Sequence, residues 1–147
     1  METRSKRKQH VIVIVAAAAA LAAMGILLAV LLSGGVSVNS GLFVMKTEGY
    51  NNDGWTFAAG RANGHSTVTR DFSREALDSL VVDSSIGGGE MALILSQGNI
   101  SQTIDLSGGE LSLSAEELGV SAFSPGRIRM WLEFGNAENV SVKIGWR

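Results

Sequence analysis

The sequence has no cysteine, a single proline and only two histidines. Without cysteine the protein forms neither a disulfide nor a thiolate metal site, so its stability must come from packing. Only His65 lies outside the amino-terminal tail, and no G-x-S-x-G nucleophile motif occurs. Because no nucleophile and base can be named, we predict a protein that is not an enzyme and has no cofactor.

Charged residues are also missing from residues 11–32, a run of 22 residues that are all apolar or glycine. As a helix this run spans about 33 Å, enough to cross a hydrocarbon core of about 30 Å. Residues 33–40 carry no charge, whereas the tail before the run is basic through Arg4, Lys6, Arg7 and Lys8. The positive-inside rule therefore predicts a single-pass transmembrane helix, with residues 1–10 in the cytoplasm and the chain after Ser33 extracytoplasmic.

A cleaved signal peptide is the alternative interpretation of this run, with a cut after Ser37 and Gly35 two residues before it. The apolar core of a signal peptide usually holds only about 7 to 15 residues, so the length of the run favours an uncleaved anchor. Mass spectrometry of the mature amino terminus distinguishes the two interpretations.

Small residues recur within the run at spacings of three and four, at Ala18, Ala22, Gly25 and Ala29. Such a stripe lets two membrane helices approach closely, and it predicts self-association through this face. An alanine-rich segment presents small residues in any register, however, so the stripe is equally expected in a helix that stays single.

The charge balance of the remaining chain is acidic. Four of the 12 basic residues lie in the tail, so residues 33–147 carry eight basic and 13 acidic residues, a net charge of −5. This argues against nucleic acid or anionic lipid head groups as the ligand. An exported domain without cysteine is typical of a prokaryotic cell surface rather than a eukaryotic secretory pathway.

Residues 33–41 are rich in glycine and serine and predict a short spacer, followed by one β domain over residues 42–147. Alternating segments at residues 80–83, 91–96 and 100–106 are separated by glycine-rich breaks. Strands at this spacing predict an all-β antiparallel sandwich, jelly-roll-like in its many short strands. The predicted fold class is thus a single transmembrane helix plus a β-sandwich ectodomain.

Two hairpins are predicted within the domain. Asn63-Gly64 tolerates the positive φ angles of a type I′ turn and predicts pairing of residues 55–61 with residues 66–72. The other hairpin joins residues 127–134 to residues 140–146 across five residues. Its alternation predicts a core face of Ile128, Met130, Leu132, Val142, Ile144 and Trp146.

Two short helical turns are predicted from their capping residues. Ser73 precedes residues 74–78, with Phe72 and Leu77 at the positions of a hydrophobic staple. Ser114 and Glu117 complete a capping box, and Gly119 supplies the stop.

The candidate binding residues are Trp131, Arg129 and Arg70. Trp131 and Arg129 lie on the outer face of the predicted last hairpin, where Trp131 would stand opposite Lys143 in a cation–π contact or lie beneath another element. Arg70 falls on the apolar face of its strand, and three interpretations are open. Its side chain lies at the rim of the sheet with its stem buried, a bulge turns it outward, or it lines a pocket.

No metal site is predicted. Asn51-Asn52-Asp53-Gly54 has oxygen ligands that calcium prefers, but it lacks the terminal glutamate of an EF-hand loop, and its residues are ordinary in turns.

The sequence favours a membrane-anchored, extracytoplasmic and non-enzymatic interaction module that binds another envelope component. The alternative is a carbohydrate-binding module that uses an exposed Trp/Arg face. A glycan hydrolase is less favoured, because no spacing selects two of the carboxylates as an acid and base pair.

Overall fold

Residues 38–147 are the part of the chain that the computed structural model describes, and they fold almost entirely as antiparallel β-strands, as predicted. In chain order the elements are β1 (Val38–Val44), β2 (Thr47–Asn51), β3 (Gly54–Phe72), α1 (Arg74–Asp78), β4 (Val81–Ser85), β5 (Gly88–Gln97), β6 (Ile100–Asp105), β7 (Leu111–Leu113), a 3₁₀ turn (Val120–Ala122) and β8 (Gly126–Gly145).

The two longest strands, β3 and β8, pair with each other along almost their whole length. β2 pairs with the first residues of β3, and β1 pairs with its later residues. The other edge of β8 is shared in the same way by β4 and β5. The result is a first half-sheet of order β2–β3–β8–β4–β7 and a second half-sheet of order β1–β3–β8–β5–β6.

The two half-sheets pack against each other around one hydrophobic core in a sandwich-like arrangement. Phe57 of the first half-sheet stacks on Phe134 of the second, with ring centroids 4.7 Å apart. Phe72, at the end of β3, meets Trp146 edge to face at 5.3 Å. Phe134 lies in the middle of β8, opposite Gly64, whereas Phe72 ends β3 and Trp146 follows the end of β8. The two ring pairs therefore join the half-sheets at different points along the core.

Asn63-Gly64 lies inside β3, so the prediction of a hairpin there is wrong. Gly64 has a φ of +137° and pairs with Gly41 of β1, whose φ is +131°. A Cβ at either glycine would lie 2.2 Å from a backbone carbonyl oxygen of the other strand. Glycine is therefore needed here for the close approach of two strands. The hairpin of this region is formed instead by Asn52-Asp53, which joins β2 to β3.

The predicted last hairpin is also wrong, because β8 continues through its loop. Asn136 and Asn139 adopt left-handed φ angles of 46° and 50°. These turn-forming residues interrupt the alternation of the strand without reversing the chain. The predicted core residues are all buried nevertheless: Ile128, Met130, Leu132, Val142, Ile144 and Trp146. Alternation decides which side chains face inward whether the chain turns back or continues.

The predicted cap of the first turn is confirmed, and the capping box of the second turn is confirmed in part. The Ser73 hydroxyl accepts a hydrogen bond from the Ala76 N–H at 3.1 Å and caps α1. At the second turn the Glu117 carboxylate accepts hydrogen bonds from the Ser114 N–H at 2.8 Å and the Ser114 hydroxyl at 2.9 Å. These bonds lower the pKa of Glu117. Gly119 follows with a φ of +67°.

A largely buried carboxylate joins the two half-sheets from within. The Glu48 side chain is 12% exposed. Its Oε1 accepts hydrogen bonds from the Trp55 indole N–H at 2.9 Å and from the Ser66 hydroxyl at 2.8 Å. Its Oε2 lies 2.7 Å from the Lys46 ammonium. Trp55 belongs to the first half-sheet and Ser66 to the second, so one side chain links both.

The predicted transmembrane helix at residues 11–32 and the tail at residues 1–10 lie outside the described residues. Between Val38 and Arg147, no helix has the length and apolar character needed to cross a bilayer. The first strand begins at Val38, four residues before the predicted start of the β domain at Leu42.

Candidate functional site

The outer surface of the second half-sheet carries the side chains that alternate with the core. Met130 and Leu132 are buried, so Trp131 between them points away from the core. Its cross-strand partners are Thr67 on β3 and Ile94 on β5. We name this surface the Trp131 face, and its members are His65, Thr67, Ile94, Thr103, Asp105, Arg129, Trp131 and Glu133.

His65 stacks on Trp131, with ring centroids 4.3 Å apart and 28° between the ring planes. The two are diagonal neighbours, since Thr67 pairs with Trp131 and His65 pairs with Glu133. Both rings are half-buried. The Trp131 Nε1 is buried and has no hydrogen-bond partner within residues 38–147. Trp131 therefore contributes ring surface to this face, and its indole N–H is not available as a hydrogen-bond donor.

An acidic depression of about 470 Å³ borders the aromatic pair. Glu133 is the next outward residue of β8 after Trp131, and it lines the depression together with Glu90, Thr103 and Asp105. Asp105 accepts a hydrogen bond from the Ser107 N–H at 2.9 Å. This bond, with a further one from the Ser107 hydroxyl, lowers the pKa of Asp105. The depression thus supplies hydrogen-bond acceptors next to an apolar platform.

The two predicted arginines lie on opposite sides of the sheet. Arg129 is exposed on the Trp131 face, two residues before Trp131 on the same strand. Arg70 faces the inner side, where its guanidinium carbon lies 4.9 Å from the centre of the Trp146 ring and 5.9 Å from that of Phe72. Arg70 is therefore a rim cation with a half-buried side chain. The structure places Arg129 on the same face as Trp131 and Arg70 on the other side of the sheet.

The predicted Trp131–Lys143 contact is wrong, because it depended on the last hairpin. Lys143 pairs with Thr56 and Asp83 in the first half-sheet. The ring contact that Trp131 makes is with His65, the residue directly after the predicted Asn63-Gly64 turn. If β3 is taken as one uninterrupted strand, alternation places His65 on the same face as Thr67. This alternation is the sequence pattern from which the position of His65 beside Trp131 could have been predicted.

The three carboxylates of the depression, those of Glu90, Asp105 and Glu133, are all exposed. A general acid needs a carboxyl group with a raised pKa, usually through burial, whereas the pKa of Asp105 is lowered. Within residues 38–147, no cluster of three or more His, Asp or Glu side chains has a geometry that could hold a metal ion.

No known protein family matches the chain, and no curated protein matches its sequence. One solved structure with a similar arrangement is a carbohydrate-binding module, TmCBM27, described for its specific recognition of mannan. The TM-score is 0.33 and the identity is 11%, over 75% of this chain and 85% of that one. A likeness at this level does not identify a ligand for the present protein.

Proposed function

We propose that the protein is a non-enzymatic binding module and that its ligand is a carbohydrate, bound on the Trp131 face. The observation that carries the proposal is the stacked pair of His65 and Trp131 beside an acidic depression. Ligand sites typically combine apolar or aromatic surface with a few placed polar groups, and this surface has both.

The aromatic pair and the acidic depression would contact different parts of the sugar. The apolar ring face of Trp131 contacts the C–H surface of a sugar ring, because its own N–H is buried. The hydroxyls of the same sugar donate to the carboxylates of Glu133 and Asp105, and the Thr103 hydroxyl both donates and accepts. Hydrogen bonds to ionised groups are the stronger kind, so the lowered pKa of Asp105 favours binding down to mildly acidic pH.

A glycan array probed with the full-length protein tests this function. We expect binding to a subset of glycans, loss of that binding in Trp131→Ala and weakening in His65→Ala and Glu133→Gln. Lys143→Ala is the matched control, because Lys143 is exposed on the outer surface of the first half-sheet. Each variant must retain the thermal midpoint of the parent within a few degrees.

Two results would overturn the proposal. The first is the absence of binding to any glycan on the array. The second is glycan binding that Trp131→Ala, His65→Ala and Lys143→Ala reduce equally. Release of reducing sugar from a bound glycan would show a hydrolase instead, and Glu133→Gln would then abolish turnover rather than binding.

We further propose that residues 11–32 anchor the module in a cell membrane, with the β domain extracytoplasmic. The proposal is supported by the uncharged 22-residue run and the basic tail before it. Extraction of membranes at alkaline pH should leave the full chain in the pellet, and external protease should reach the β domain in intact cells. A mature chain that begins near Val38 would contradict the anchor.

A further inference from the structure

Strand β1 is an edge strand that lacks the usual protection of an edge. It pairs with β3 alone, so one of its edges has no strand neighbour within residues 38–147. Natural edge strands are commonly protected by charged residues, proline or very short length. β1 has seven residues, VNSGLFV, none of them charged and none of them proline. By contrast, β7 at another edge has only three residues, and β6 ends on Asp105.

Exposed apolar side chains are concentrated at the end of this strand. Leu42 is 72% exposed, Val44 is 43% exposed and Met45 is 81% exposed. These are three of the five large hydrophobic residues that are exposed within residues 38–147. Met45 has a left-handed φ of 52°, which is unfavourable for a residue with a long side chain. The chain therefore keeps an apolar cluster in water at an open sheet edge.

We infer that this edge binds the β1 strand of a second copy of the chain, antiparallel across a twofold axis. In such an isologous contact every residue of the strand faces a residue of the same strand. A charged strand would place like charges close together, whereas β1 has no charge to repel its copy. The pairing satisfies the open backbone groups and brings the apolar ends of the two strands out of water.

The chain before β1 supplies a second reason to expect a copy rather than an unrelated strand. Only residues 33–37 separate β1 from the apolar run, which carries the stripe of small residues predicted to self-associate. Two chains held together by that stripe would raise the effective concentration of one β1 for the other. The contact uses the free edge of β1, whereas on its other edge Ser40 pairs with His65 of the Trp131 face.

Single-cysteine cross-linking tests the contact cleanly, because the natural chain has no cysteine. Ser40→Cys, Leu42→Cys and Val44→Cys are prepared in the full-length protein in membranes and treated with a short bifunctional thiol cross-linker. Antiparallel pairing over the whole of β1 places Gly41 on the twofold axis. Ser40 and Leu42 then each lie two residues, about 7 Å along the strand, from their own copies, whereas Val44 lies six residues, about 20 Å, from its copy. We expect Ser40→Cys and Leu42→Cys to cross-link several-fold more than Val44→Cys.

Ile100→Cys serves as the control, since Ile100 is also an exposed hydrophobic residue but begins β6. Equal yields at all three positions of β1, or an equal yield at Ile100→Cys, would contradict the inference. Sedimentation gives a second readout in which Leu42→Lys should dissociate the dimer and Val81→Lys should leave it intact. A dimer that survives Leu42→Lys, or a parent chain that is monomeric at all concentrations, would also contradict it.

Discussion

Glu48 provides the sharpest test of how the two half-sheets are held together. In Glu48→Ala, the Trp55 indole N–H and the Ser66 hydroxyl lose the carboxylate oxygen that accepts both of their hydrogen bonds. The ammonium of Lys46, whose side chain is 23% exposed, loses its ion-pair partner. The Asn39 side-chain amide, which donates to Glu48 Oε2 at 3.0 Å, loses its acceptor as well. The substitution thus removes one carboxylate and leaves these four donors without it.

The expected cost follows from these contacts. Removing one partner of a buried ion pair costs about 3–5 kcal/mol, and the residual exposure of Lys46 and Glu48 argues for the lower end, about 3 kcal/mol. Domains of ordinary size are stable by only about 5–15 kcal/mol, so this is a large fraction of the total. For a domain of about 100 residues the thermal midpoint should fall by roughly 10–15 °C. Glu48→Gln keeps one oxygen acceptor but loses the charge that faces Lys46, and should fall between parent and Glu48→Ala.

Urea denaturation of the full-length protein, followed by tryptophan fluorescence, measures the loss. The matched control is Glu138→Ala, because Glu138 also pairs with a cation, Arg61, at 3.8 Å, but with side chains 55% and 75% exposed. An exposed pair contributes less than about 1 kcal/mol. If Glu48→Ala and Glu138→Ala destabilise the protein equally, the carboxylate does not join the half-sheets as described.

Three further predictions concern local features of the fold. Gly64→Ala should destabilise the protein by more than about 1 kcal/mol, because the new Cβ would overlap a backbone oxygen at a positive φ; Gly88→Ala, which meets nothing within 4 Å, should have a smaller effect in the same thermal assay. Ser73→Ala should cost about 1 kcal/mol through the lost cap of α1, and Ser124→Ala, outside any cap, should not. Because the folded-state pKa of Asp105 is lowered, its contribution to stability is present above its unfolded pKa and lost as the pH falls below about 4. Unfolding free energies measured from pH 6 to pH 3 should fall less steeply in Asp105→Asn than in the parent, and an unchanged slope would contradict the assignment.

Features decided by neighbouring residues could be predicted from the sequence, and those decided by distant residues could not. The cap at Ser73 and the contact of Ser114 with the Glu117 carboxylate each join residues three positions apart, so both were predicted correctly. The outward direction of Trp131 follows from alternation and was also correct. Asn63-Gly64 has the local chemistry of a turn, but its conformation is set by Gly41 of β1.

The difference between local and distant contacts also explains which parts of the candidate site could be predicted from the sequence. Trp131 and Arg129 belong to one strand, and their common face could be predicted from its alternation. The contact with His65 could not, because it requires the register between β3 and β8. The acidic depression likewise combines β5, β6 and β8, and no local pattern relates their carboxylates.

The pairing of β3 with β8 has a consequence for how this domain folds. The two strands belong to both half-sheets, and residues 73–125 lie between them in the chain. Neither half-sheet can be completed until that long segment has been closed into a loop, and the entropy of closure is spent before most of the core contacts form. Folding should therefore be slow, on the scale of milliseconds to seconds, and the two half-sheets should appear and disappear together as one cooperative unit.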